Sequence, residues 1–169
     1  STVDLMPTLL EAAGSPVPHE VQGVSVLPLA RGDDAGSSRE AVFAEMTYHV
    51  HYLPMRAIRT TRWKYIRNYS DDAVGLDQCG HMDWAHRLSD LPNQGWTRPR
   101  VPEELFDLEN DPNEQENLVA NPAFAAALER MRERLDAQMA ETRDPYLGRE
   151  FERNFTAEAS EHPAGKRYP

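Results

Sequence analysis

Two groups of side chains in this 169-residue sequence could do chemistry. The first is Glu45, His49, His51 and Arg56, crowded into one short stretch with Tyr48 and Tyr52. A guanidinium suits a carboxylate or sulfate group through its planar fork. An imidazole donates to hydroxyls or carries charge near neutral pH. The plainer reading is that these are rim residues satisfying one another or water. The second group is Cys79, His81, Asp83 and His86, whose thiol and imidazoles are ligand types that zinc accepts. Their spacing matches no paired pattern such as Cys-x-x-Cys with His-x-x-x-His. A loop with a buried thiol and scattered histidines accounts for them, and no metal site is assigned.

The first group leads into a hairpin. In Pro54 to Asn68, Met55, Ala57 and Arg59 fall on one face of a strand, with Arg56 and Ile58 on the other. Trp63, Tyr65 and Arg67 then share a face of a second strand, opposite Lys64 and Ile66. Period-2 sorting of β-branched and aromatic residues predicts two strands. Thr60-Thr61-Arg62 has no Asn-Gly pair, so the loop should exceed two residues. Ala41-Val42-Phe43-Ala44 predicts a buried strand beside the hairpin, and Glu104 to Leu108 a further strand ended by Asn110-Asp111-Pro112. Arg59, Arg62, Lys64 and Arg67 read as a solvated strand face.

Helices bracket these strands. Leu5, Leu9, Ala12 and Ala13 form an apolar stripe that predicts a helix over 3–13, stopped by Gly14. The clearest helix follows Asn121 and Pro122, a cap and a first-turn proline. Phe124, Leu128, Met131, Leu135 and Met139 recur at intervals of four and three and should lie across the sheet. Glu129, Arg130, Arg132, Glu133 and Arg134 form its expected outer face, and Asp144-Pro145 its end. The fold class is therefore α+β: a small antiparallel sheet of about four strands with a C-terminal helix packed across it. Residues 70–102 read as a long irregular insertion with a helical turn near Asp83–Leu88. Its Trp84 and Trp96 are candidates for sugar stacking or an interface, whereas Trp63 and Tyr65 read as core. From Gly148 onward the chain is polar and reads as an arm or tail.

Composition narrows the function classes. The net charge of −10 argues against a nucleic-acid binder, which would carry a basic stripe. No apolar run reaches the length of a membrane span. A single cysteine excludes an intrachain disulfide and leaves the compartment open.

Three stretches carry a family resemblance. Arg56-Ala57-Ile58-Arg59-Thr60-Thr61-Arg62-Trp63-Lys64-Tyr65-Ile66 resembles the C-terminal hairpin of the sulfatase family. Upstream, Val3 to Gly14 and Gln22-Gly23-Val24 to Leu29 are similar to the helix and loop that end its α/β domain. Downstream, Glu104-Leu105-Phe106-Asp107-Leu108 and Asp111-Pro112-Asn113-Glu114 to Leu118 resemble its Glu-Leu-Tyr-Asp-Leu block. The three in order span most of residues 1–145. Within the family, the likeness is nearest to the heparan N-sulfatase (sulfamidase) group. Tyr52 to Arg56, Gly95-Trp96 and Glu141-Thr142-Arg143-Asp144-Pro145 carry it.

The resemblance implies a parent hydrolase, in the alkaline phosphatase superfamily, for sulfate esters or sulfamates, with glycosaminoglycan-type sugars among the substrates it suggests. It implies residues 1–31 as the end of an α/β domain, 39–147 as the C-terminal subdomain and 148–169 as an arm. It implies formylglycine and calcium for the parent. This sequence has no Cys-x-Pro-Ser-Arg, and Cys79 is followed by Gly-His-Met, so neither cofactor is expected in it and the chain alone should be inert. The implied partners are a missing N-terminal domain and a sulfated small molecule or sugar; the apolar residues left uncovered without that domain predict a second copy, paired through residues 1–30 or the sheet edge. The implied substrate contacts are His49, Arg56, Glu45 and His51, at the entry to the hairpin. The alternative is a stand-alone binding or assembly module without catalysis. The chain opens within the family's motif, so a fragment of a longer protein is expected.

Overall fold

Alternating core and solvent side chains build a hairpin from β2 (Tyr52–Arg59) and β3 (Trp63–Asn68). The computed structural model describes residues 1–33, 39–48, 52–71 and 99–153. The chain divides into two compact units, Ser1–Val42 and Phe43–Pro169.

In the second unit, β1 (Val42–Tyr48), β2, β3 and β4 (Glu103–Asp107) form a four-stranded antiparallel sheet in the order β1-β2-β3-β4. Three residues join β2 to β3, where the Thr60 amide and hydroxyl both bond the Trp63 carbonyl. Register sets the core. Ile58 lies opposite Tyr65, and Tyr65 opposite Leu105, and all three are buried. Each apolar side chain so buried contributes roughly 1.5–3 kcal/mol.

The C-terminal helix α3 (Ala125–Thr142) crosses β2 and β3. Its stripe is the expected one: Leu128, Met131, Leu135 and Met139 are buried, with Ala127. Phe124 ends a single 3-10 turn, Pro122–Phe124, and meets Trp63 edge-on at 5.8 Å. The Asn121 carboxamide accepts from the Ala123 amide at 3.1 Å and caps this entry. The outer face differs from expectation at Arg132, which bends back to hold Glu103 on β4. The helix ends at Thr142, just before the Asp144-Pro145 step as expected, with Arg143 as its cap. That residue adopts the left-handed conformation usual for glycine, at φ 55°. The Asp144 amide then closes onto the Met139 carbonyl at 2.8 Å.

Two further expectations are corrected. The stretch Ala41–Ala44 is not a buried strand. β1 is a sheet edge with Val42, Ala44, Glu45 and Tyr48 exposed, while α3 packs chiefly on β2 and β3. The solvated basic face is instead paired: Arg62 holds Asp107, Lys64 holds Glu114 and Arg67 holds Asp136, leaving Arg59 exposed. The arm beyond Gly148 begins by docking, with Glu152 bridged to Ser70 alongside the end of β3. The expected turn near Asp83–Leu88, Trp84, Trp96 and the second chemical group all lie outside the described residues.

In the first unit, α1 (Leu5–Ala12) and the short α2 (Leu27–Ala30) are tied by Asp4 and Thr8. The Asp4 carboxylate accepts from Arg39 and from the Val24 amide, and the Thr8 hydroxyl accepts from the Val26 amide. The Arg39 hydrogen bonds hold Asp4 well below the usual carboxylate range, against the opposing effect of burial. Gly23 passes so close to α1 that a Cβ there would sit 1.9 Å from the Val3 carbonyl oxygen. The predicted helical stripe exists but is open: Leu5 is 60% exposed and Leu9 69%.

Candidate functional site

β1 and β2 flank residues 49–51, so the chemical group expected there is delivered by two adjacent strands. Glu45 projects from β1 with its side chain 62% exposed, and its Oε2 lies 3.7 Å from Arg56 Nε. His49 and His51 lie outside the described residues.

The sequence expects Arg56 to offer its fork to a substrate anion. The structure commits that fork to the interior, with the side chain 2% exposed. Nε donates to Asp144 Oδ2 at 2.5 Å, in the turn after α3. Nη1 donates to the Met46 carbonyl and the Thr47 hydroxyl on β1, both at 3.1 Å, and to the Met55 carbonyl at 2.9 Å. The guanidinium also stacks on the Tyr146 ring, 4.5 Å from its centroid. One side chain thus ties β1, β2 and the end of α3 together.

Burial alone would raise the Asp144 pKa. The Arg56 hydrogen bond and the Tyr146 amide outweigh it and hold the carboxyl below its ordinary value. Tyr146 is pushed up to about 12 by burial and by its hydroxyl contact with Tyr52, at 2.6 Å. Tyr146 therefore serves as a neutral hydrogen-bonding group. Glu45 is the one of the four expected residues that the described structure leaves facing solvent.

Asp144 and Tyr146 are neighbours of Arg56 that sequence reasoning did not pair with it, whereas Tyr52 already stood in the same stretch. Arg56 shares its strand face with Ile58, and an arginine on a core face needs a buried counter-ion. That signal announces a partner without saying which acid supplies it.

Calcium, one of the two cofactors implied for a sulfatase, needs several oxygen ligands in one place, and the described residues do not gather them. Among the described residues, no three His, Cys, Asp or Glu side chains are placed to hold a metal ion. No helix among them is long and apolar enough to cross a membrane.

Comparison with known proteins bears on the family and the fold. Residues 1–77 match the family described as N-sulphoglucosamine sulphohydrolase, C-terminal. An ulvan-active sulfatase of Formosa agariphila is 32% identical over 76% of this chain, which spans 26% of that protein. Human N-sulphoglucosamine sulphohydrolase is 26% identical over 87% of the chain, which spans 33% of it. A solved 2-O GAG sulfatase superposes with a TM-score of 0.65 at 28% identity, over 90% of this chain and 27% of that one. The chain thus spans about a quarter to a third of the length of these relatives. Family model, relatives and fold converge, and the chain is a C-terminal sulfatase domain.

Proposed function

We propose that this chain shapes the substrate pocket of a sulfatase-like hydrolase that acts on sulfate esters or sulfamates of acidic, glycosaminoglycan-type sugars. The observation that carries the reading is the placement of Glu45. It is an exposed carboxylate tethered by a buried guanidinium, on a strand that runs directly into residues 49–51. A carboxylate so held accepts hydrogen bonds from sugar hydroxyls. His49 and His51 add donors, or positive charge when protonated. Arg56 holds the strand beneath them rather than reaching outward.

The formylglycine and calcium typical of the family would be supplied by other parts of the polypeptide and would provide the nucleophile and the electrophile. The chain's own contribution is to orient the sugar. The open apolar face of α1 is the surface offered to the rest of the enzyme, and, in its absence, to a second copy of the chain.

The test is to express the complete reading frame and assay an aryl sulfate and a sulfated disaccharide. Glu45→Gln should raise KM for the disaccharide and leave the aryl sulfate reaction nearly unchanged. The 169-residue chain alone should hydrolyse neither, with or without calcium. A reading frame that starts just before Ser1, or equal effects of Glu45→Gln on both substrates, would favour the stand-alone binding module instead.

A further inference from the structure

A second region of the sheet unit has the makings of a ligand site. A cavity of about 140 Å³ opens between the end of β3, the approach to β4 and the segment after α3. It is lined by Arg67, Asn68, Tyr69, Pro102, Glu103, Arg149 and Phe151. One water needs roughly 10–15 Å³ by this measure, so a multi-atom group fits.

The charges around it are unequal. Glu103 lines the cavity, but Arg132 grips both its carboxylate oxygens and the Tyr65 hydroxyl donates to it. Asn68 is equally committed, with its amide on the Val101 carbonyl and Glu104 and its oxygen on Arg100. Arg67 spends Nη1 on Asp136 and Nε on the Tyr65 hydroxyl, and its guanidinium also faces the Tyr69 hydroxyl inside the cavity, so it is the more committed of the two arginines. Arg149 gives Nε to the Pro145 carbonyl and stacks on Tyr146, while both its Nη groups make no hydrogen bond among the described residues. Two guanidiniums therefore line one cavity whose carboxylate is already neutralised. Pro102 and Phe151 add an apolar wall beside them.

We propose that this cavity binds an oxyanion, a sulfate or carboxylate, with Arg149 and Arg67 as donors and Phe151 against the carrier of that group. An acidic sugar satisfies both halves of the site; that choice of carrier rests on the function proposed above. Guanidinium donors suit such planar or tetrahedral oxygens.

The test is a ¹H–¹⁵N NMR titration of the full chain with sodium sulfate, against sodium chloride at matched ionic strength. Glucosamine 6-sulfate and unsulfated glucosamine form a second arm. Saturable shifts confined to Asn68, Tyr69, Glu103 and Phe151 are expected with sulfate and with the sulfated sugar, and none with glucosamine. Arg149→Gln should weaken sulfate about tenfold, the factor that one charge-assisted hydrogen bond is worth. Arg130→Gln, an exposed change elsewhere on α3, should leave it unaltered. Tighter binding of the sulfated sugar identifies the sugar as carrier, and equal binding identifies the oxyanion alone. Shifts no larger than with chloride, or equal losses in both variants, would overturn the site. These outcomes do not depend on the hydrolytic assay, so either reading can fail without the other.

Discussion

Arg56 lies directly opposite Arg67 across β2 and β3, and each is answered by an aspartate from the far end of the chain. Arg56 meets Asp144, just past α3, and Arg67 meets Asp136, within it. Like charges placed opposite one another destabilise a sheet. Here the helix supplies the missing negative charge, and in doing so fixes its own position along the strands.

Breaking the buried member of this arrangement should therefore be costly. Arg56→Ala leaves Asp144 without its counter-ion and should destabilise the chain by about 3–5 kcal/mol in urea melts. Arg56→Met combined with Asp144→Leu should recover part of that loss. A double variant no more stable than Arg56→Ala would show that the contribution lies in shape rather than charge.

The same group makes a prediction about pH. Asp144 has a folded pKa below its unfolded value, held down by Arg56 and the Tyr146 amide against burial. Its stabilising contribution is full above the unfolded value of about 3.9 and is lost as pH falls through the lower folded one. The stability difference between the native chain and Asp144→Asn should thus be constant from neutral pH to about pH 5 and shrink below about pH 4. A difference independent of pH down to pH 2 would mean the carboxylate contributes nothing as a charge.

The α3 stripe gives a sharper contrast. Leu128→Ala empties a buried position and should cost roughly 2–5 kcal/mol. Its neighbour Glu129→Ala changes only an exposed contact to Arg132 and should stay within about 0.5 kcal/mol. Equal shifts in urea melts would mean that the helix presents a different face to the sheet.

In the first unit, Gly23→Ala forces a Cβ against the Val3 carbonyl and must displace α1 or the loop. Hydrogen exchange should accelerate at the Val24 and Val26 amides, which bond Asp4 and Thr8. Unchanged protection at both would show that the close approach is relieved elsewhere.

The open stripe of α1 should make the isolated chain self-associate with rising concentration, since covering each such side chain is worth about 1.5–3 kcal/mol. Leu9→Glu should restore the monomer in light scattering. Association unaffected by that change would place the contact away from α1.

Local periodicity made much of this fold legible. Leu128, Met131, Leu135 and Met139 repeat on a helical period, and Ile58 and Tyr65 alternate on a strand period, so their burial follows from spacing alone. What spacing cannot carry is pairing between distant positions. Arg56 and Asp144 are 88 residues apart, and nothing local to either names the other. Exposure of β1 was hidden for a related reason, since an apolar run reads the same at an edge as in the middle of a sheet. The left-handed backbone of Arg143 is likewise silent in the sequence, because it goes with the closure of Asp144 onto Met139 and not with the residue's own preference.

The backbone bond from the Arg100 amide to the Asp71 carbonyl, at 3.1 Å, has a consequence for how the sequence can change. It joins the chain on either side of residues 72–98, next to the Ser70 bridge to Glu152. Where two ends are already clasped, doubling the length between them costs only about 0.6 kcal/mol in closure entropy. By that entropy alone, a change of length between those ends would leave the clasp, and with it the register of β3 against β4, nearly undisturbed. The same clasp marks a place where a foreign segment could be grafted with little penalty to the sheet.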